Sequence, residues 1–360
     1  MKIITGISNT HKPEEINAYA NAGVDEFFVG YVPKEWSEYF GFEISCNRRE
    51  HSNYQYHSID ELENIVGHIH AAGRKVYLTL NAHEFNYEQY KLLRNMLKSI
   101  QHVDFDGFII SNIGLILQLR SDGFESPVNL SIGAGNNNVE SFLFYSSVIG
   151  NINRFIFPRK FTLSEFKAIT DKLKGENFDL EAFLLGDPCH FNDEYCFTWH
   201  GAANESLCNS PMYKHKAFEA IIFGNKWKQD IIKFPASKFY EDQFELQQRI
   251  EKSRARALGM QNIKPMKIDE VKKLNILQRI NKCGICMVQK FKEMGINTVK
   301  LPLRGYSIET NLQVIKMVRK VADTENAGPQ FCQNLLNAPS FCSGHNCYYD
   351  YPFNIKAAQS

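Results

Sequence analysis

Three cysteines in one polar stretch are the residues whose types and spacing most directly suggest chemistry in this chain. Cys189, Cys196 and Cys208 are separated by six and then eleven residues in "DPCHFNDEYCFTWHGAANESLCNSP". A closer pair, Cys283 and Cys286, follows downstream with C-x₂-C spacing. Clustered cysteines form disulfides, bind zinc, act as nucleophiles or hold iron–sulfur clusters. The rest of the sequence has to select among these four chemistries.

Composition argues against a disulfide framework. The chain has 360 residues with nine cysteines, which is an odd count, and no stretch approaches about 18 uninterrupted apolar residues. The N-terminus lacks the apolar run of a signal peptide, so we expect a cytoplasmic protein with no membrane span. Thiols stay reduced in that compartment, and clustered cysteines there are metal ligands or redox groups. The formal charge of +1 argues against an extended nucleic-acid surface but permits a local basic groove.

Spacing alone leaves several thiol chemistries open. Zinc sites favour close pairs, and the three upstream cysteines are more widely spaced than usual zinc knuckles. Iron–sulfur clusters need four thiolates and tolerate more varied spacings, so we favour them over zinc. Unligated cysteines that pack as small hydrophobes are the third alternative. A nucleophilic Cys189 with His190 or His200 as its base, and with no metal, is the fourth.

The elements that must position these cysteines are short apolar runs alternating with amphipathic segments. Eight such runs are followed or preceded by helical patterns: "KIITGIS", "EFFVGYV", "KVYLTLNA", "GFIISN", "PVNLSIG", "RFIFPRK", "DLEAFLLGD" and "NTVKLPLRG". They are mostly apolar on both faces, as buried parallel strands are. Eight strand–helix pairs predict a (β/α)₈ barrel of the TIM type, with a doubly wound open sheet as the alternative. We also predict a helix over 270–295 and an N-cap at Ser58, with Glu61 three residues later.

A barrel places its chemistry at the C-terminal ends of its strands. Polar residues follow the predicted strands at Ser8, Asn9, Asn81, Ser111, Asn112, Ser131, Arg159 and Arg304. Arg159 and Arg304 are candidate catalytic residues, because a guanidinium there can hold a carboxylate or phosphate through two hydrogen bonds. An ion pair with a nearby acid is the alternative. His200 is a candidate proton donor, and Lys300 either pairs with a buried carboxylate or faces the site.

The predicted organisation has four parts. The first seven barrel strands occupy residues 1–188, and a Cys-rich loop with a helical insertion occupies 189–268. The last helix–strand–helix occupies 269–324, and a tail with three cysteines occupies 325–360. A second metal site formed by Cys286 with the tail cysteines is one hypothesis, and unligated thiols are the favoured one. The tail cysteines are Cys332, Cys342 and Cys347.

Common hydrolytic and nucleotide motifs fail on inspection. The segment "HEFNY" at His83 has Tyr87 where a zinc protease needs its second histidine. The segment "GAGNNN" at Gly133 has Asn138 in the sixth position, so we predict a turn after the fifth strand rather than a dinucleotide site. The sequence contains no G-x-S-x-G elbow and no P-loop. Hydrolysis therefore has no recognisable machinery of its own.

Six segments taken together resemble peptidase family U32, the collagenase-like proteins. They are "NAGVDEFFVG", "AAGRKVYLTLNA", "FDGFIISNIGLI", "VNLSIGAGNNNVES", "FLLGDPCHFNDEYCFTWHGAANESLC" and "EMGINTVKLPLRG". The resemblance covers roughly residues 1–208 and 280–325, and its specificity lies in the combination. The chain departs from the family at Pro302, which replaces the glutamate of the family's "KIEGR" strand.

The resemblance implies a [4Fe–4S] cluster, because the iron–sulfur members of that family hold one on four cysteines. Three ligands carry over to Cys189, Cys196 and Cys208. The fourth lies twelve positions before the glycine of the family's "AG" pair and carries over to Cys283. Two alternatives for this fourth ligand are Cys286 and Cys46, the latter in the ligand-like segment "ISCNRRE". Zinc on the same thiols is the alternative cofactor.

The resemblance also implies a function. Iron–sulfur members of the family take part in oxygen-independent hydroxylation in ubiquinone synthesis and on RNA. We therefore expect an enzyme that hydroxylates or otherwise modifies, by redox chemistry, a small organic molecule or RNA, with a second chain of the same family as a partner. A U32-type peptidase and a non-catalytic binding protein stabilised by its metal are the two alternatives.

Overall fold

The computed structural model describes seven segments of the chain: 1–40, 45–49, 54–186, 193–196, 283–304, 306–336 and 347–349. All of them belong to one compact unit formed by Met1–Ala203 and Ile276–Ser360. The described segments leave out most of the predicted insertion and five residues named above: Cys189, His190, His200, Cys208 and Cys342. The four-part organisation of the chain stays a prediction.

Eight parallel strands close into a barrel. They are β1 Lys2–Gly6, β2 Glu26–Val29, β3 Lys75–Leu80, β4 Gly107–Ile110, β5 Val128–Leu130, β6 Ile152–Ile156, β7 Asp179–Phe183 and β8 Thr298–Leu301. Each strand pairs with the next, and β8 returns to β1. The predicted (β/α)₈ barrel is confirmed, and the doubly wound sheet is wrong, because an open sheet would leave two strand edges unpaired.

Helices follow the strands in the alternating order that the sequence predicted. Within the described segments they are α1 Ile16–Ala22, α2 Lys34–Phe40, α3 Ile59–Ala71, α4 Tyr87–Ser99, α5 Ile113–Ser121, α6 Val139–Ile149, α7 Leu163–Lys172, α8 Val288–Glu293, α9 Ile308–Asp323 and α10 Pro329–Leu336. None of them is long and apolar enough to cross a bilayer. The short helix α2 and the tail helix α10 were not predicted.

Local sequence explains where several elements begin and end. Ser58 occupies the N-cap position of α3 as predicted, but its side chain makes no capping hydrogen bond to the helix. Asn86 does cap α4, because its Oδ1 accepts from the Gln89 amide at 2.9 Å. The predicted turn after the fifth strand is confirmed as a 3₁₀ turn that ends at Gly135, whose φ of 78° suits glycine.

The helix predicted over 270–295 is wrong at residues 283–287, the first described residues of that range. The backbone of Cys283 forms isolated β-bridges with the backbones of Leu185 and Cys347. Helix α8 begins only after a 3₁₀ turn at 285–287. A Cβ on Gly284 would lie 2.8 Å from the Tyr349 ring, so this segment runs against the tail. Pairing with neighbouring chain segments replaces helical hydrogen bonds here.

The barrel interior is divided between an apolar layer and a charged layer. Apolar side chains from six strands meet inside: Ile4, Phe28, Tyr77, Ile109, Ile156 and Phe183. The charged layer lies nearer the N-terminal ends of the strands and centres on Arg154, which is fully buried. A second aromatic core, built around Phe142, Phe155 and Phe166, packs between the strands and the helices.

The charged layer is a network of complementary ion pairs. Arg154 donates to Glu181 at 3.0 Å, to Glu26 at 2.9 Å and to Asp179 at 2.9 Å. Lys300 donates to the second oxygen of Glu181 at 2.8 Å, which confirms that Lys300 pairs with a buried carboxylate. Burial raises the pKa of Glu181, but Lys300 and Arg154 lower it by more, so this pKa lies below its ordinary value. The network fixes the interior charges in place below the C-terminal mouth.

Candidate functional site at the C-terminal mouth of the barrel

The polar residues predicted at the strand ends hold the loops that surround the mouth. Asn81 Oδ1 accepts from the Arg48 amide at 3.1 Å, and Ser111 Oγ donates to the Asn81 carbonyl at 2.9 Å. Asn112 donates to the His83 carbonyl at 2.8 Å. These bonds tie the ends of β3 and β4 to the loop after β2. These three polar residues therefore mainly position backbone.

The imidazole of His83 is held by the turn after β5. Its Nδ1 donates to the Gly133 carbonyl at 3.3 Å. A Cβ on Gly133 would lie 2.6 Å from the His83 ring and 2.8 Å from the Ser111 oxygen, so only glycine fits. The Nε2 atom is buried and has no hydrogen-bond partner among the described residues. A buried ring nitrogen without a partner among the described residues therefore lies near the ends of β4 and β5.

A buried histidine and a buried arginine support the wall after β1 and β2. The Ser8 amide donates to His11 Nδ1 at 3.2 Å, which places the proton of the neutral ring on Nε2. Burial lowers the pKa of His11 below its ordinary value, so the ring stays neutral at pH 7. Arg49 donates to the carbonyls of Ile7 at 2.7 Å and Phe28 at 2.8 Å. These contacts hold the loop after β2 against the barrel.

Two arginines meet one carboxylate at the mouth. Asp193 accepts from Arg48 at 3.0 Å and lies 3.6 Å from Arg159 Nε. The side chain of Asp193 is only 4% exposed, and those of Arg48 and Arg159 are 11% and 12% exposed. The segment after β7, which carries Asp193 and Cys196, is thus tied to the loops after β2 and β6. The ion-pair alternative for Arg159 is present in the structure.

The arginines lie over aromatic rings of the barrel interior. The Arg159 guanidinium is 4.2 Å from the ring centroid of Phe183, and that of Arg304 is 5.9 Å from the ring centroid of Phe28. Lys300 Nζ lies 4.3 Å from the same Phe28 ring. Cations held against apolar rings are less hydrated than cations in bulk water, and they attract anionic ligands strongly. The mouth therefore combines guanidinium groups above with an aromatic floor below.

Two of the four predicted cluster ligands lie within the described segments. Cys196 is partly buried and follows Asp193 by three residues. Cys283 is 7% exposed and bridges Leu185, two residues beyond the end of β7. Among the described residues no three His, Cys, Asp or Glu side chains are grouped to hold a metal ion. With Cys189 and Cys208 outside those segments, the predicted ligand set stays a prediction.

The alternative cysteines occupy different environments. Cys46 is fully buried, and its Sγ donates to the Tyr31 carbonyl at 3.3 Å. Burial raises the pKa of this thiol to about 12, which keeps it protonated. Cys286 lies in the 3₁₀ turn before α8, and Cys332 is buried on α10. The second metal site on the tail cysteines includes Cys342, outside the described segments, and stays a prediction.

The C-terminal tail contributes a wall that sequence reasoning missed. The Tyr348 amide donates to the Cys283 carbonyl at 2.9 Å, and the Tyr348 hydroxyl donates to the Gly186 carbonyl. The Tyr349 hydroxyl donates to the Phe183 carbonyl at 2.6 Å. Burial raises the pKa of Tyr349 well above its ordinary value, so the hydroxyl stays a donor. The tail residues 347–349 therefore dock beside the end of β7.

Sequence reasoning also missed Arg48 and Asp193. The signal for Arg48 was present, because "ISCNRRE" places two consecutive arginines two residues after a cysteine, in a loop that follows a strand. Asp193 lies inside the cysteine-rich stretch, where the cysteines dominated the interpretation. No local pattern marks Tyr348, since its position depends on a contact with a segment that precedes it by more than 60 residues in the chain.

Comparison with known proteins gives the chain its family. The profile of peptidase family U32 matches residues 11–356. The chain is 22% identical over 289 residues to tRNA hydroxylation protein P of Escherichia coli (strain K12), covering 75% of this chain and 60% of that protein. It is 30% identical over 125 residues to tRNA hydroxylation protein P of Helicobacter pylori, covering 34% of this chain and 28% of that protein.

A solved structure from the same family is also similar. The U32 peptidase Mk0906 is 15% identical, with 51% of this chain and 69% of that chain covered and a TM-score of 0.38. The chain spans about 60% of the length of the E. coli relative. Because the family profile covers nearly the whole sequence, the chain belongs to peptidase family U32.

Proposed function

We propose that this chain takes part in oxygen-independent hydroxylation of RNA through a [4Fe–4S] cluster on Cys189, Cys196, Cys208 and Cys283. One observation supports the proposal that the substrate is RNA: the E. coli relative that matches 75% of this chain is a tRNA hydroxylation protein. The cluster is supported by the resemblance of the cysteine spacing to iron–sulfur members of family U32. A second chain of the same family as a partner belongs to this proposal.

The described donors fit such a cluster. Thiolates are the usual protein ligands of iron–sulfur clusters, and burial tunes the cluster potential. Cys283 is 7% exposed, and backbone β-bridges pair it with Leu185 and Cys347. Cys196 lies in the segment that Asp193 ties to the mouth. When bound, the cluster would supply single-electron transfer.

The described arginines fit an RNA substrate. Arg48, Arg159 and Arg304 surround the mouth, and Asp193 pairs with the first two. Phosphate groups bind guanidinium through paired, charge-assisted hydrogen bonds. Phe28 and Phe183 provide apolar surface directly below two of these cations. In this proposal Arg159 and Arg304 hold a phosphate, and His200 donates a proton.

The function is tested by nucleoside analysis. The chain would be expressed in an E. coli strain that lacks tRNA hydroxylation protein P, and the tRNA nucleosides of that strain would be analysed by mass spectrometry. We expect a nucleoside with the mass gain of one oxygen atom to reappear. Unchanged tRNA together with cleavage of a collagen peptide by the purified chain would instead favour the peptidase alternative.

We predict that Arg159→Met and Arg304→Met each weaken tRNA binding by about tenfold or more, the effect of one lost charge-assisted hydrogen bond. Iron content should stay at the wild-type level, since neither side chain is a cluster ligand. Arg94→Met is the matched control, because Arg94 pairs with Asp122 on the outer helices. Filter binding measures the affinities. Equal affinity of the Arg159, Arg304 and Arg94 variants would contradict the role of the mouth arginines.

A further inference from the structure

The tail places at the mouth an aromatic ring that has no role in the reaction proposed above. Tyr348 is partly exposed and packs against the apolar layer inside the barrel, which includes Phe28 and Phe183. Arg159 lies over the Phe183 ring at 4.2 Å. The tail thus adds a tyrosine beside the end of β7, where the Arg159 guanidinium lies over the Phe183 ring.

The ring of Tyr348 is held at both ends. Its amide donates to the Cys283 carbonyl at 2.9 Å, and its hydroxyl donates to the Gly186 carbonyl. Tyr349 supports it, with ring centroids 5.6 Å apart, and is itself packed against Phe166 at 5.5 Å. A side chain fixed in this way loses little further conformational entropy when a ligand binds.

We propose that Tyr348 is the base-stacking residue of the RNA site, with Arg159 binding a phosphate of the same strand. This inference rests on the proposed RNA substrate. Proteins that recognise unpaired nucleotides commonly stack the base on an aromatic ring and bind the backbone through cations. Both side chains lie at the end of β7: Arg159 lies over the Phe183 ring, and the Tyr348 hydroxyl donates to the Gly186 carbonyl, three residues beyond Phe183.

The ligand class follows from the chemistry of this pair. A base must be unstacked from its neighbours to reach a tyrosine ring, so the site takes a single-stranded or flipped nucleotide rather than a continuous duplex. Stacking tolerates every base, because each base has a π-face. Tyr348 therefore contributes affinity for the nucleotide, and base selection falls to other groups.

The test compares variants of the full chain in binding unmodified tRNA and inorganic phosphate. Tyr348→Leu should weaken tRNA binding by about tenfold or more, the loss that follows removal of one stacked base, and leave phosphate binding unchanged. Tyr348→Phe should bind tRNA within about twofold of the wild type, because it keeps the ring. Tyr87→Leu is the matched control, since Tyr87 is 72% exposed on α4.

Each outcome separates this inference from the proposed function. Wild-type affinity for tRNA in the Tyr348→Leu variant would overturn the stacking role and leave the RNA substrate standing. Failure of the wild type itself to bind tRNA would overturn both. If Tyr348→Leu does not fold, Tyr348→Trp replaces it: its indole fluorescence should be quenched by tRNA beyond the quenching of the wild type, and the absence of extra quenching would overturn the stacking role.

Discussion

Glu181→Gln destabilises the chain by about 3–5 kcal/mol, the usual cost of removing one partner from a buried ion pair. Glu181 is fully buried and accepts from both Lys300 and Arg154. Arg154 keeps Glu26 and Asp179 as partners in the variant, whereas Lys300 loses the only carboxylate that contacts it in the described interior. Urea unfolding of the purified chain, followed by circular dichroism, measures the loss.

Two further variants identify the cause of this loss. Adding Lys300→Met to Glu181→Gln should restore part of the stability, because the buried unpaired cation is removed. Glu88→Gln is the matched control, since Glu88 makes an exposed pair with Lys91 and should cost less than about 1 kcal/mol. A Glu181→Gln variant as stable as Glu88→Gln would contradict the role of the interior network.

Because of the same carboxylates, the free energy of unfolding should decrease as the pH falls. Burial raises the pKa values of Glu181 and Asp179, but their cationic partners hold both below the ordinary 4.5 and 3.8. The ionised carboxylates therefore stabilise the fold fully above those ordinary values, and this stabilisation is lost as pH falls through the lower folded-state pKa values. The stability difference between wild type and Glu181→Gln should accordingly shrink below about pH 4.5.

If the chain holds the proposed cluster, Cys196→Ala and Cys283→Ala should each remove most of the iron and of the visible absorbance from anaerobically purified chain. A cluster that loses one of four thiolate ligands is expected to be labile. The difference from the wild type should therefore be several-fold in iron per chain, measured by colorimetric iron assay on folded protein. Cys196 follows Asp193 by three residues, and Cys283 pairs with Leu185 just beyond the end of β7.

Two other cysteines serve as controls for this prediction. Cys46→Ser should keep wild-type iron, because the Cys46 thiol is fully buried and donates to the Tyr31 carbonyl. Cys332→Ser should also keep it, since Cys332 is buried on the tail helix α10. Loss of iron in Cys46→Ser with full iron in Cys283→Ala would reassign the fourth ligand to Cys46.

The barrel could be predicted because its signals are local. Each strand is a short apolar run, and eight such runs with helices between them leave few ways to bury every strand. Only one partner of the interior ion-pair network could be recognised from the sequence. Lys300 stood out as a charge inside an apolar strand, but its partner Glu181 lies 119 residues earlier, and no local pattern connects the two.

Site residues that directly follow a strand could be predicted from the sequence. Site residues that reach the mouth through contacts with distant segments could not. Arg159 and Arg304 could be placed at the mouth because each follows a strand closely. Asp193 and Tyr348 reach the mouth through contacts with other loops, so their roles appear only once the chain is folded. The failed helix at Cys283 has the same cause, because pairing with Leu185 and Cys347 overrides helical periodicity.

The most direct test of the account is a metal analysis of the full chain purified without oxygen. The proposal predicts about four iron and four sulfide atoms per chain, with little zinc and a broad visible absorbance. Zinc in place of iron, or a colourless protein that contains neither iron nor sulfide, would contradict it.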